Sequence, residues 1–203
     1  MAACRADAAR NGWTVVQDVS SGPQDVAIPR RIHSGYAVVA TELLEQLSSG
    51  RDRAPPTHVL LNSGVGGFAA GVFGHLARRL QGEEKPRFAC VEPTEADCLR
   101  RQALGDGSRT TGGPTLQVGL DCHAPCPLAW SVLRTLVDDF LAVDDSCVAP
   151  LVRYLAADPR CLHVGESAVA SLAVLCKAAD DAGPGGLRDR LGFTAESRVA
   201  IVL

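Results

Sequence analysis

Strand-like and helical segments alternate along most of the chain, and this alternation limits the fold more than any other feature. Apolar runs of five to seven residues are separated by segments with helical spacing of apolar residues. Such alternation predicts an α/β fold, with a mainly parallel sheet, right-handed crossovers and flanking helices. The predicted strands are HVLLN (58–62), RFACVEP (87–93), TLQVGL (115–120), FLAVDD (140–145) and RVAIVL (198–203). The predicted helices are 68–80, 95–103, 127–137, 147–157 and 167–181.

The first fifty residues follow a different pattern. A helical segment ends at Gly12, the run WTVVQD (13–18) is rich in β-forming residues, and helical spacing returns over 32–47. Residues 51–57 are charged and include two consecutive prolines. A boundary between two parts of the chain is therefore expected near residue 52.

Charge and hydrophobicity exclude several classes of partner. The chain has 20 basic and 23 acidic residues in a mixed order, so it offers neither a basic footprint for nucleic acid nor a polybasic membrane patch. Charges interrupt the amino-terminal run MAACRADAAR, and no apolar run approaches the roughly 18 residues of a membrane span. We expect a cytoplasmic protein of 203 residues that buries a substantial core and binds a small neutral or zwitterionic molecule.

The eight cysteines are expected to be reduced and buried rather than paired in disulfides. Cys122-His123-x-x-Cys126 has the spacing of a pair of metal ligands. Because no second Cys/His pair has suitable spacing, we predict no metal site.

A glycine-rich loop provides the strongest local signal. Ser63 to Gly71 reads SGVGGFAAG and lies between the predicted strand HVLLN and the next predicted helix. Glycines allow a tight turn that points successive N–H groups at an anion, and a helix N-terminus adds partial positive charge. The loop could bind a phosphate, or it could be a tightly packed turn. It matches neither the nucleoside-triphosphate loop nor the dinucleotide fingerprint.

The loop and the strand that ends at Val91-Glu92-Pro93 resemble those of fold type II pyridoxal-phosphate (PLP) enzymes, which share the fold of the tryptophan synthase β-subunit. A wider set of motifs, in the same order along the chain, resembles the diaminopropionate ammonia-lyase family. These motifs are Gly12-Trp13-x-Val15-Val16-Gln17-Asp18, Ile28-Pro29 with Gly35-Tyr36, Val91-Glu92-Pro93 with Ala96 and Cys98, Gly119-Leu120-Asp121-Cys122 with Leu128-Ala129-Trp130, and Gly165-Glu166-Ser167.

The resemblance implies an enzyme that uses pyridoxal 5'-phosphate to eliminate ammonia from 2,3-diaminopropionate, yielding pyruvate and a second ammonia. The cofactor serves as an electron sink, and an acid or base handles the α-proton. The partner is then a small amino-acid substrate, and the resemblance allows a homodimer. On this interpretation, residues 1–50 are a remnant of the smaller domain and residues 51–203 form most of the PLP-phosphate-binding α/β domain.

The resemblance also implies roles for residues near the cofactor. The loop would hold the phosphate through Gly64, Val65, Gly66 and Gly67. Asp18 ends the Val-Gln-Asp motif, faces the substrate and can act as a base, although an aspartate in that place can also cap or end a strand.

Three further residues are expected near the same site. Glu166 matches a glutamate that follows the last core strand of this fold and lies near the cofactor ring, and it can also begin a helix, where the dipole favours its charge. Asp121 and Cys122 are expected to line the substrate pocket, with ordinary packing an equal alternative for Cys122. Asp18, Asp121 and Glu166 should approach one cleft together with the glycine loop.

The lysines depart from the family pattern. A PLP lyase needs a lysine that bonds to the cofactor, and the chain contains two, Lys85 in a charged turn and Lys177 late in a predicted helix. Neither lies in a segment that the fold places near the cofactor ring. In the family the Schiff-base lysine precedes the region covered here, and the family continues beyond the strand that ends at Leu203. We therefore expect the chain to be truncated at both ends and inactive as an ammonia-lyase by itself.

Two alternatives remain from the sequence. The first is a non-catalytic module that binds PLP or another phosphate, or serves as a partner subunit from a split or degenerate gene. The second is an unrelated α/β nucleotide-binding domain, since fold alone does not fix function.

Overall fold

The computed structural model describes residues 2–20, 22, 24–49, 54–106, 112–160 and 162–203. Nine α-helices and four β-strands are found in these residues. The strands are β1 (His58–Asn62), β2 (Arg87–Pro93), β3 (Asp139–Val143) and β4 (Val199–Ile201). The helices are α1 (Ala2–Asn11), α2 (Ala27–Gly35), α3 (Ala37–Ser49), α4 (Gly67–Arg79), α5 (Cys98–Ala103), α6 (Pro127–Leu136), α7 (Val148–Ala156), α8 (Ala170–Asp180) and α9 (Leu187–Leu191).

The four described strands form one parallel sheet in the order β3-β2-β1-β4. Both faces of the sheet are covered. On one face, Val59 and Leu61 of β1 belong to a core with α4 and α6, whereas Leu60 faces a second core formed with α8. Because successive side chains of a strand point to opposite faces, a strand buried on both sides must be apolar throughout, as HVLLN nearly is.

Phe73 of α4 and Phe88 of β2 are fully buried and stack with their ring centroids 4.5 Å apart. Leu76 and Leu133 complete the same layer without exposure to solvent. On the opposite face, Ala173 and Val174 of α8 pack against the sheet. Predicted α/β layering with a mainly parallel sheet is therefore confirmed.

The helical pattern over 32–47 belongs to two helices, α2 and α3, which meet at Tyr36. Tyr36 packs edge-to-face on Phe68 of α4, with 5.3 Å between the ring centroids. Gly71 lets α2 cross α4 closely, since a Cβ at this position would overlap the carbonyl oxygen of His33. α2 and α3 are thereby held against the helix that follows the glycine loop.

One predicted strand is wrong, and one run of β-forming residues does not form a strand. TLQVGL (115–120) contains a 3₁₀ turn, Val118–Leu120, instead of a strand. The carboxylate of Asp145 accepts hydrogen bonds from the Thr115 hydroxyl at 2.7 Å, the Leu116 N–H at 2.6 Å and the Gln117 side chain at 3.1 Å, so these groups are bound outside any sheet. WTVVQD (13–18) also has no regular secondary structure.

Other predicted elements differ at their ends. β1 and β2 occupy the predicted residues. RVAIVL contributes only the three residues of β4, an edge strand of the described sheet that pairs with β1. α5 and α8 each begin three residues later than predicted, because the 3₁₀ turns Thr94–Ala96 and Glu166–Ala168 precede them. The boundary predicted near residue 52 lies outside the described residues. None of the helices described is long and apolar enough to cross a membrane.

Candidate functional site

The glycine loop connects β1 to α4 at the carboxyl ends of the parallel strands. Gly66 has φ +94°, a conformation that side chains of L-residues rarely adopt. A Cβ at Gly66 would also lie 2.7 Å from Cδ1 of Leu133 and 3.2 Å from Cδ2 of Leu99. Glycine is therefore required at this position both by the backbone and by the packing of α5 and α6.

The loop opens on a cavity of about 440 Å³. Gly64, Val65, Gly66 and Gly67 all line it, as do Asp18, Tyr36 and residues of the 119–122 segment. Clefts at the carboxyl ends of parallel strands are common ligand sites in open α/β sheets. The 13-residue helix α4 begins at this cavity, so its N-terminal amides and dipole favour an anion there.

Two residues fix the start of the loop. The Asn62 amide donates to the carbonyl oxygen of Ala168 at 2.7 Å and accepts from the Ser171 N–H at 2.7 Å. Ser63 donates through its backbone N–H to the Val91 carbonyl at 2.8 Å. These bonds connect β1 to α8 and to the end of β2, which gives the loop a rigid base. Sequence reasoning missed Asn62, although a polar residue ending an apolar strand before a glycine cluster could have indicated it.

Asp18 lies on the cavity wall in a segment without regular secondary structure. His33 is 6% exposed, and its Nε2 donates to the backbone carbonyl of Asp18 at 2.8 Å. The same nitrogen would lie 2.6 Å from a Cβ placed on Gly67, so the ring packs on the first turn of α4. His33 thus joins the Asp18 backbone to the helix that follows the loop, a role that no local sequence signal indicated.

Two residues beyond Asp18, the same segment is attached at Ser20, which is buried. The Ser20 N–H donates to Sγ of Cys126 at 3.4 Å, and the Ser20 hydroxyl accepts from the Leu128 N–H at 3.3 Å. The Cys126 N–H in turn donates to the Val65 carbonyl at 2.9 Å. Residues 18–20, the start of α6 and the glycine loop are therefore joined by one chain of hydrogen bonds.

Cys122 lines the cavity beside the loop, with Sγ 2.8 Å from the position of a Cβ on Gly64. Burial raises the pKa of the Cys122 thiol, which favours its neutral form.

Asp121 is exposed and pairs with His123, with 3.1 Å between Oδ1 and Nε2. Its neighbours Leu120 and Cys122 line the cavity, but Asp121 itself does not. Within the described part of the chain, no three His, Cys, Asp or Glu side chains come close enough together to hold a metal ion.

Glu166 begins the 3₁₀ turn that precedes α8 and is exposed to solvent. It does not line the loop cavity. Its neighbour Ser167 accepts a hydrogen bond from the Gly119 N–H at 2.9 Å, and Gly119 does line the cavity. The sequence predicts three carboxylates in one cleft. Asp18 lies on the cavity wall, and Asp121 lies between two wall residues along the chain. Glu166 precedes Ser167, which bonds to the wall residue Gly119.

Glu92 is fully buried where β2 ends. Its two carboxylate oxygens accept the backbone N–H groups of Leu99 and Arg100, each at 2.8 Å, and so cap the N-terminus of α5. Burial raises the pKa of Glu92 to about 8, against the opposing effect of these hydrogen bonds. Cys98, the first residue of α5, donates through Sγ to the Gly64 carbonyl at 3.7 Å, so α5 also supports the loop.

Both lysines lie away from the loop cavity. Lys85 is exposed just before β2, at the end of the strands opposite to the loop, with Nζ 6.0 Å from the centroid of Phe88. Lys177 is exposed on α8 and lines a separate cavity formed with β3 and α9. No lysine therefore faces the glycine loop.

Comparison with protein families gives one match over nearly the whole chain. The family described as "Pyridoxal-phosphate dependent enzyme" matches residues 1–193. Diaminopropionate ammonia-lyase of Escherichia coli (strain K12) is 34% identical over 201 residues, which is 96% of this chain and 49% of that protein. The chain spans about half the length of the curated relatives it matches.

Solved structures show the same relationship. The crystal structure of selenomethionine-containing holo diaminopropionate ammonia-lyase from Escherichia coli has a TM-score of 0.81 and 32% identity, covering 98% of this chain and 50% of that chain. Maize serine racemase has a TM-score of 0.70 at 22% identity, covering 96% of this chain and 53% of that one, a likeness of fold.

Proposed function

Because the chain belongs to the family of pyridoxal-phosphate-dependent enzymes, whose fold type II architecture it shares, we propose that it binds PLP and takes part in eliminating ammonia from 2,3-diaminopropionate. One structural observation supports this most. The glycine loop lies between a parallel strand and the N-terminus of α4 and opens on a cavity of about 440 Å³.

The residues at the loop fit a phosphate group. Gly64, Gly66 and Gly67 line the cavity with backbone atoms alone, while the loop amides and the helix dipole supply partial positive charge. At Gly64 even a methyl group would approach Cys122 Sγ within 2.8 Å. We assign phosphate binding to Gly64, Val65, Gly66 and Gly67.

When bound, PLP withdraws electrons from the α-carbon of an amino acid joined to it and so makes the α-proton acidic. Asp18 then has the position of an acid or base, because its segment forms part of the cavity wall and its backbone is fixed by His33. Cys122, as a neutral thiol, shapes the wall next to the phosphate. Asp121 and Glu166 lie outside the cavity lining. We propose that Asp121 contributes to the substrate pocket and that Glu166 lies near the cofactor ring.

The positions of the lysines favour a more limited activity for this chain by itself. Lys85 and Lys177 both lie away from the loop cavity. We therefore propose that residues 1–203 hold PLP without a covalent bond and do not turn over substrate unaided. A non-catalytic PLP-binding module or partner subunit is the alternative supported by the same observation.

Gly64→Ala tests the phosphate site. The added methyl group would meet Cys122 Sγ and narrow the cavity, so we expect PLP to bind at least tenfold more weakly, measured by equilibrium dialysis and cofactor absorbance. Gly113→Ala is a matched control, because a Cβ there meets nothing within 4 Å. Equal PLP affinity in the two variants would contradict the assignment of the loop, provided that circular dichroism shows both to be folded.

A further inference from the structure

A second cavity lies on the other side of α4 from the sheet, in a groove between α2 and α6. Its volume is about 600 Å³, within the usual range for sites of small ligands. The residues of α4 that line it recur at intervals of three and four, so they form one side of that helix. They are Ala70, Gly71, Gly74, His75, Arg78 and Arg79.

Glycines keep the floor of this groove open. Gly71 allows α2 to cross closely, and a Cβ on Gly74 would have Val132 Cγ1, 4.0 Å away, as its nearest neighbour. Leu128 and Val132 of α6 form an apolar wall, and Arg30 and His33 contribute from α2. The groove thus combines an apolar side with a basic side.

The charge of the groove is opposite to that of the chain. The sequence has a net charge of −3, yet Arg30, Arg78 and Arg79 line this cavity together with His33 and His75. No carboxylate is among the described residues that line it. No ion pair is formed between these arginines and any carboxylate in the described residues.

Helix dipoles explain only part of the positive charge in this groove. Arg78 and Arg79 occupy the last turn of α4, where a cation is favoured in any helix. Arg30 lies in the first turn of α2, where the dipole disfavours a cation. The helix dipole therefore does not explain why Arg30 lines the same groove as Arg78 and Arg79.

We propose that this groove binds a small phosphate-bearing molecule with at least two negative charges. Guanidinium groups bind phosphate oxygens in pairs of parallel hydrogen bonds, and three arginines from two helices match more than one such pair. The apolar wall at Leu128 and Val132 accommodates an uncharged part of the ligand. This site is separate from the glycine loop and does not depend on the function proposed for it.

Binding of inorganic pyrophosphate, measured by isothermal titration calorimetry, tests the proposal. We expect the native chain to bind it, and R78A/R79A to bind it at least tenfold more weakly. R134A/R153A is the matched control, because it removes the same charge from exposed arginines in the last turns of α6 and α7. The control should keep the native affinity, and citrate should bind more weakly than pyrophosphate.

Gly74→Leu gives an independent variant that keeps every charge. Leucine is a better helix former than glycine, so α4 should persist while the new side chain fills the groove and abolishes pyrophosphate binding. PLP affinity measured in parallel should stay unchanged in R78A/R79A, since neither arginine lines the loop cavity. Absence of pyrophosphate binding, equal binding in all variants, or binding of citrate as tight as that of pyrophosphate would overturn the proposal.

Discussion

Glu92 combines a buried carboxyl group with a structural task. It caps α5 through two backbone hydrogen bonds, and α5 supports the glycine loop through Leu99 and Cys98. The Val-Glu-Pro motif noted in the sequence thus has a physical explanation in this chain: a carboxyl group at the end of a buried strand satisfies the first N–H groups of the next helix. The loop is stabilised by residues that never touch its cavity.

The pKa of Glu92 makes the stability of the fold depend on pH. Burial raises this pKa from 4.5 to about 8, so the folded chain binds a proton that the unfolded chain has lost at intermediate pH. The stabilising contribution is complete below about pH 4.5 and disappears as the pH rises through 8. The native chain should therefore unfold at lower urea concentration at pH 9 than at pH 6.

Glu92→Gln should reduce this difference between pH 6 and pH 9, because an amide does not titrate. It should also destabilise the chain by about 1–3 kcal/mol at pH 6, since one oxygen that accepts an N–H is replaced. Glu196→Gln, at an exposed position, is the control and should retain the native pH dependence. A variant E92Q with the same pH dependence as the native chain would show that another group is responsible.

At the scale of elements, the segment from Trp13 to Ser20 has no regular structure, and His33 and α6 attach it near its carboxyl-terminal end. His33 fixes it near Asp18, and Ser20 fixes it to α6. Removing the imidazole would leave the Asp18 carbonyl without its donor beside the first turn of α4. The position of Asp18 at the cavity therefore depends on a helix fifteen residues further along the chain.

His33→Ala should increase amide hydrogen exchange in residues 13–20, measured by mass spectrometry, by about tenfold, which corresponds to the roughly 1.4 kcal/mol expected for one hydrogen bond. His33→Gln offers an amide donor in its place and should restore part of the protection. Exchange in β1 and β2 serves as the internal reference. Equal changes in this segment and in the strands would indicate general destabilisation and contradict a specific positioning role.

The elements that sequence predicted well are those whose signal is local. HVLLN and RFACVEP form strands over the predicted residues because continuous apolar character is what burial on both faces requires. TLQVGL carries a comparable pattern but contains a 3₁₀ turn, because Asp145, distant in sequence, binds its polar groups. The glycine loop could be predicted, and the polar residue that ends the apolar strand before it could have indicated Asn62. His33 could not be predicted, because its partner, the Asp18 carbonyl, lies across the fold.

On the scale of the whole molecule, the chain combines a parallel sheet, flanking helices and the glycine loop, and it spans about half the length of the curated relatives it matches. The loop cavity has walls from the first twenty residues, from α4 and from the 119–122 segment. The two lysines of the chain do not line this cavity. Lys85 lies at the opposite end of the strands, and Lys177 lies on α8. Cofactor binding, which we propose for the loop, is therefore separable from covalent attachment to a lysine.

Mass spectrometry of the intact chain, after incubation with one equivalent of PLP and reduction with borohydride, tests this separation most directly. Equilibrium dialysis of an unreduced sample should show that PLP is retained, and the same unreduced sample should release no pyruvate from 2,3-diaminopropionate. The reduced chain should show its unmodified mass. This outcome is expected because neither Lys85 nor Lys177 lines the loop cavity. A stoichiometric adduct on either lysine, together with pyruvate release, would contradict the account.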